Sequence, residues 1–198
     1  MRKMIVAALL AAAVLVPAAA SAAPPAAAPA PLAPDAAAAL ADGPGVAGSS
    51  VTRSVSPQEA YAAASLPGEA VSVAPGLSLQ QATGLAAAFV ACSANEQHWS
   101  WGTWPYEQKL SDTTYWCAVY GDHITYTAST PGAAGTLCGP SWTSNAIISG
   151  GIGYSWFVER TSAGWTCPTV IPWVSLHPSH HLDVSRNAWG STEVVGSG

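Results

Sequence analysis

Charge is scarce in this 198-residue chain: 9% of its residues are Asp, Glu, Lys or Arg, and the formal net charge is −5 at pH 7. Beyond Arg2 and Lys3 the basic residues are Arg53, Lys109, Arg160 and Arg186, dispersed along the sequence. So scattered a set builds no cationic patch, which argues against a nucleic-acid backbone or an anionic membrane surface as partner. Motifs of known chemistry are missing too. There is no Gly-x-Ser-x-Gly, no His-Glu-x-x-His and no glycine-rich phosphate loop, so no catalytic residue and no cofactor is assigned. Long hydrophobic runs are absent apart from residues 5–16, which are too few to cross a bilayer and predict no membrane insertion.

That run sits between Arg2-Lys3 and the small residues Ala20-Ser21-Ala22, the pattern of a secretory signal over 1–23. The expected product is secreted and extracellular, and the abundance of Ala and Pro suits a bacterium with GC-rich codons. Residues 24–55 are largely Ala, Pro, Gly and Ser, with too few large apolar side chains to offset the entropy of ordering; they are expected to be a disordered linker or a cleaved pro-segment.

What the chain does have lies further on. All nine tryptophans and all four cysteines fall between Cys92 and Trp189. An even cysteine count behind a signal points to two disulfides among Cys92, Cys117, Cys138 and Cys167. Three connectivities are open, and pairing neighbours in sequence is preferred, giving Cys92–Cys117 and Cys138–Cys167. No zinc motif has this spacing.

Two short helices are predicted over 56–94 and expected to pack on the domain. Ser56-Pro57-Gln58-Glu59 combines a cap, a proline at the first helical position and a glutamate three residues after the cap. Ser78 and Gln81 form a second capping box ahead of the Ala-rich stretch 79–94, where Leu85, Phe89 and Cys92 would share one face. From residue 95 to 198 the pattern turns to period two, which predicts a disulfide-stabilised β domain. Gly121-Asp122 suits a tight hairpin pairing Val119 with Ile124 and Cys117 with Tyr126. A loop at 111–114 is expected to pair Leu110 with Tyr115, and Gly150-Gly151 to set Ile147 opposite Tyr154. A further strand is expected near 170–176. The fold class is mainly β, an antiparallel sandwich or small barrel behind a short α-helix.

The segments Trp99-Ser100-Trp101-Gly102-Thr103-Trp104-Pro105-Tyr106, Tyr115-Trp116-Cys117 and Cys167-Pro168 to Trp173 resemble a loose set of small secreted, Trp-rich, disulfide-containing actinobacterial domains. The resemblance spans about 90–198 and implies a secreted β domain, nothing further.

Parity along the predicted strands sets Trp104, Tyr106, Leu110, Tyr115, Cys117, Val119, Ile124 and Tyr126 on a charge-free face expected to be core. The opposite face carries Glu107, Lys109, Trp116, Tyr120, His123, Thr125 and Thr127 and is expected to look outward. Trp99 and Trp101 join it if the first strand extends without a bulge. Aromatic rings beside hydroxyl, imidazole and carboxylate groups suit a sugar platform, so Trp99, Trp101, Trp116, Tyr120 and His123 are the candidate ligand-binding residues. A plainer reading puts those tryptophans under the 79–94 helix. The expected function is a non-catalytic binding domain for a glycan or cell-wall polymer. An extracellular protein partner or inhibitor-like module is one alternative. The other is a small secreted hydrolase or toxin assembled from Glu107, His123, Glu159, His177, His180, His181 and Asp183. The run His177 to Asp183 is expected to be a polar loop, with no metal assigned.

Overall fold

A computed structural model describes residues 45–86, 90–119, 121–171 and 173–198. The predicted signal and most of the predicted linker lie outside the described residues.

The fold is mainly β and built from two antiparallel sheets. Strands β1 (Val46–Val55), β2 (Ala70–Val73), β3 (Val90–Trp101), β4 (Gln108–Val119) and β5 (Ile124–Gly135) form sheet A in the order β1-β3-β4-β5-β2. Strands β6 (Gly139–Gly150), β7 (Trp156–Pro168), β9 (Ser179–Asn187) and β10 (Thr192–Ser197) form sheet B in the order β10-β9-β7-β6, and the short β8 (Ser175–Leu176) pairs with β7. Val46–Val55 corrects the expected extent of the linker. This segment of small and polar residues with Val46, Val51 and Val55 pairs along β3 from Val46 opposite Ser100 to Val55 opposite Cys92.

Helix α1 (Pro57–Ala63) begins where its cap requires: the Ser56 hydroxyl accepts from the Glu59 N–H at 3.1 Å. The capping box at Ser78 and Gln81 also forms, but α2 (Leu79–Ala82) lasts a single turn. Gly84 stands at φ +77° just beyond it, a left-handed conformation that stops a helix. The helix expected over 79–94 is therefore corrected. From Val90 the chain is strand, and Cys92 faces Cys117 directly across the β3–β4 ladder. Alanine's helix propensity of a few tenths of a kcal/mol per residue yields here to a twelve-residue pairing.

The Gly121-Asp122 hairpin is present, with Gly121 at φ +73° and Cys117 opposite Tyr126. A bulge then sets Ala118, rather than Val119, opposite Ile124. The loop expected at 111–114 does not exist; β4 runs unbroken through it, and Leu110 pairs with Ala133 and Tyr115 with Ala128. Ile147 lies opposite Glu159 and not Tyr154, because the β6–β7 connection spans 151–155.

The continuous β4 also corrects the assignment of faces, and Trp104, expected in the core, lies in the β3–β4 connection and is 79% exposed. Gln108, Leu110, Asp112, Thr114, Trp116 and Ala118 all point inward between the sheets. Two apolar clusters fill the sandwich. One gathers Trp101, Leu110, Ala163, Trp165, Leu182 and Val184 around the Cys138–Cys167 bridge. The other gathers Trp116, Ala118, Ile124, Phe157 and Ala188. A third lies on the far side of sheet A, where α1 and α2 cover Cys92, Cys117, Tyr126 and Ala128. There the Tyr126 hydroxyl donates to the Ala60 carbonyl at 2.9 Å and the Thr125 hydroxyl to the Ala82 carbonyl at 2.7 Å. Burial pushes the Tyr126 phenol far above the usual tyrosine range.

Between the two inner clusters the interior is polar. Arg186 has no exposed side-chain surface, and it donates to Glu159 at 2.9 Å, Asp112 at 2.5 Å and Asn95 at 3.2 Å. The Thr114 hydroxyl lies 2.7 Å from Glu159 and 2.9 Å from Asp112, and Asn145 donates to Asp112 at 3.1 Å. Two carboxyls share one guanidinium in a dry site. Burial raises the Glu159 carboxyl above the usual glutamate range, the Asp112 carboxyl adds to that, and Arg186 pulls the other way.

Both disulfides of the preferred connectivity are formed, Cys92–Cys117 and Cys138–Cys167, and among the described residues no cysteine is free. No helix among the described residues is long and apolar enough to cross a membrane.

Candidate functional site

The described residues expected to form one aromatic platform do not all come together: Trp99 meets Trp101, ring centroids 6.4 Å apart, away from Trp116 and His123. Trp116 is 1% exposed: its indole N–H donates to the Asn187 carbonyl at 2.9 Å and its ring meets Phe157 edge-on. Trp101 is 3% exposed and stacks on His180 with ring centroids 4.7 Å apart and planes within 2°. Neither can touch a ligand in the folded protein, so both are corrected to core residues. The mixed face of sheet A looked solvent-facing because it carries polar groups; sheet B supplies the partners that bury it. Trp99 is half-buried against the Trp101 cluster. Tyr120 lies outside the described residues. His123 sits in the β4–β5 turn, where its Nδ1 lies 2.9 Å from the Asp122 carboxylate. Trp99 pairs with Leu110, and Val119 beside that turn is nine residues further along β4, about 30 Å away.

The hydrolase set is dispersed as well. Glu159 belongs to the Arg186 cluster, Glu107 pairs with Lys109 at 3.1 Å, and His177 meets Thr166 at 3.3 Å. Residues 177–183, expected as a loop, mostly belong to β9. Its alternation sends His180 inward to Gln108 at 2.8 Å and sets His181 and Asp183 on the outer face, where Asp183 is nonetheless buried. Among the described residues no group of three or more His, Cys, Asp or Glu side chains gathers where a metal ion could sit.

Aromatic surface is exposed elsewhere. On the outer face of sheet B, Trp142 of β6 lies directly opposite Gly164 of β7. Its indole rests on the glycine: a Cβ at 164 would stand 2.6 Å from Cε2 and closer still to Nε1. Trp142 is nevertheless 48% exposed, so the ring presents its other side to solvent. One step along the sheet, about 7 Å away, Ser144, Ser162 and His181 stand side by side on three adjacent strands. The next row holds Arg160 and Asp183 in a two-pronged ion pair, Nε to Oδ1 at 2.8 Å and Nη2 to Oδ2 at 2.7 Å. The pairing raises the Arg160 guanidinium pKa further. The same face of β7 ends at Trp156, 40% exposed and eight residues from Gly164, about 26 Å away. The result is a strip with an indole at either end and hydroxyl, imidazole and fixed ion-pair groups between.

A second exposed set gathers at one end of the sandwich. The β6–β7 connection is tied to sheet A by Ile124 N–H to the Tyr154 carbonyl at 2.8 Å and Gly153 N–H to the Ile124 carbonyl at 2.9 Å. The β9–β10 turn joins through Ala188 N–H to the Ser155 carbonyl at 2.8 Å, and Trp189 packs beside Gly121. Tyr154 and Trp189 stay 59% and 57% exposed there, near His123.

No family model, no curated protein and no solved structure matches the chain. The functional reading therefore rests on the site itself.

Trp142 was not singled out from the sequence. Its local signal is a lone large aromatic in the otherwise small and polar run Gly139-Pro-Ser-Trp-Thr-Ser-Asn. What makes it a platform is Gly164 opposite, a pairing that local pattern does not show.

Proposed function

We propose that the protein is a secreted, non-catalytic binding domain whose ligand is a neutral glycan or cell-wall polymer laid along the outer face of sheet B. The observation that carries this is the seating of Trp142 on Gly164. An indole resting on a glycine and half exposed offers an apolar surface that the C–H face of a pyranose can cover. The hydroxyls of Ser144 and Ser162 and the imidazole of His181 lie one strand step away, at the distance of the ring's own hydroxyls. Arg160 and Asp183 neutralise each other, so the strip carries donors and acceptors without selecting a charged ligand. Trp156 at the far end suits an extended polymer of several rings rather than a single sugar. The two disulfides fit an oxidising, extracellular setting.

The test is retention of the mature protein on insoluble cellulose, chitin, xylan and bacterial cell walls. Wild type should be retained on at least one, and Trp142→Ala should weaken that retention about tenfold, on the order of one stacked ring. Retention on none, or retention indifferent to Trp142→Ala, overturns the reading.

The exposed Tyr154 and Trp189 favour a second reading, an extracellular protein seated on the hairpin end. Capture of one defined protein from culture supernatant, lost in Tyr154→Ala/Trp189→Ala and kept in Trp142→Ala, would select it.

A further inference from the structure

The helices α1 and α2 cover sheet A only around Cys92, Cys117 and Tyr126. At the opposite end, among the described residues, a groove of about 560 Å³ crosses four strands of the same outer face, from Gly48 of β1 over 98–100 of β3 and 109–111 of β4 to 132–134 of β5. Ligand sites of this kind typically measure about 300–1,000 Å³. Its floor lies close to the backbone because Gly48, Gly132 and Ala134 carry little or no side chain. The Ser111 hydroxyl leans over Gly132, in the space a Cβ there would take. At its margin Lys109 and Glu107 stand 3.1 Å apart, and the His98 imidazole, 2.8 Å from the Glu96 carboxylate, adds a second donor–acceptor pair.

The Lys109 ammonium in the groove's lining thus has its own carboxylate. A phosphate or carboxylate ligand would have to displace Glu107 from Lys109, whereas a hydroxyl can donate to the carboxylate and accept from the ammonium at once. Vicinal hydroxyls on one ring offer that combination, and the small-residue floor lets a ring approach the backbone. We propose that this groove is a second glycan site, taking a short neutral oligosaccharide stretch, so that the domain holds glycan on both outer faces and cross-links two chains. The proposal rests on the reading of sheet B as a glycan strip.

Light scattering of soluble hydroxyethylcellulose and glycol chitin, mixed with increasing amounts of the whole mature protein, tests it. Wild type should raise the scattering through a maximum and then lower it as excess protein fills single sites. Ala134→Trp plugs the groove from an exposed position, and Lys109→Ala/Glu107→Ala removes the pair without changing net charge. Both variants should lose the scattering maximum at least tenfold while their retention on insoluble polymer stays within twofold of wild type. Cellohexaose and chitohexaose should shift backbone amide resonances at 109–111 and 132–134 in wild type and not in Ala134→Trp. If Ala134→Trp scatters like wild type, or neither hexasaccharide moves those resonances, the groove proposal is overturned while the strip stands. If Trp142→Ala retains like wild type, the strip is overturned, and the hexasaccharide shifts alone judge the groove.

Discussion

Trp142 and Gly164 face each other across β6 and β7, and the indole occupies the space any larger residue at 164 would need. The glycine is an ordinary strand residue of negative φ, so a substitution there strains no turn and acts through the indole. Gly164→Ala should lift the ring off the sheet and weaken polysaccharide retention about as much as Trp142→Ala. Stability should change by less than about 1 kcal/mol, since the displaced ring is half exposed already. Retention assays with a urea melt of the same preparation separate the two effects, and a fully binding Gly164→Ala would detach the seating from the function.

Arg186 holds two carboxyls away from water, so removing it should hurt far more than losing any surface pair. Arg186→Met fills much of the same volume but leaves Asp112 and Glu159 facing each other with no cation. Breaking a buried ion cluster from one side typically costs about 3–5 kcal/mol. Urea unfolding should show a loss of that size, whereas Arg53→Met, at an exposed pair with Glu59, should shift the midpoint little. Equal effects from the two variants would show that the interior cluster is hydrated.

Glu159 makes stability depend on pH in a definite direction. Its carboxyl titrates higher in the fold than the ordinary glutamate value of 4.5, chiefly through burial. The native state therefore binds that proton more tightly than the unfolded chain. The contribution is complete below pH 4.5 and is lost as pH rises through the folded value. Glu159→Gln resembles the protonated acid and removes the titration. Wild type should accordingly lose stability relative to Glu159→Gln between pH 4.5 and pH 7.5 in parallel urea melts. A gain relative to the glutamine variant over that interval would mean that Arg186 dominates and Glu159 is ionised in the fold.

Local signals were read well from the sequence and distant ones were not. The Ser56 cap and the Gly121 turn depend on residues close in sequence or on a backbone conformation that glycine adopts easily, and Cys92–Cys117 joins cysteines that are neighbours among the four. The β4 strand was misread because Asp112, Thr113 and Thr114 look like a polar turn. Their inward members become strand residues only when Arg186, 74 positions from Asp112, arrives from the other sheet. The same distant pairing turns Trp116 from a surface residue into core. Conversely, no local pattern distinguishes Trp142 from the buried tryptophans, since its exposure follows from β6 lying at the edge of sheet B.

Trp116 supplies the sharpest contrast with the strip. Its indole nitrogen serves the Asn187 carbonyl, and its ring fills the space between Ala118, Ile124 and Phe157. Trp116→Phe keeps most of the apolar volume, leaves that carbonyl short of a donor and opens a small void. Together these should cost about 1–3 kcal/mol. Assayed well below its melting temperature, the variant should still hold polysaccharide as wild type does, because nothing on the outer face of sheet B has changed. Trp142→Ala should show the reverse pattern, with binding lost and the melt nearly unmoved. Loss of binding by folded Trp116→Phe would tie recognition to the interior of the sandwich and remove the separation on which the strip depends.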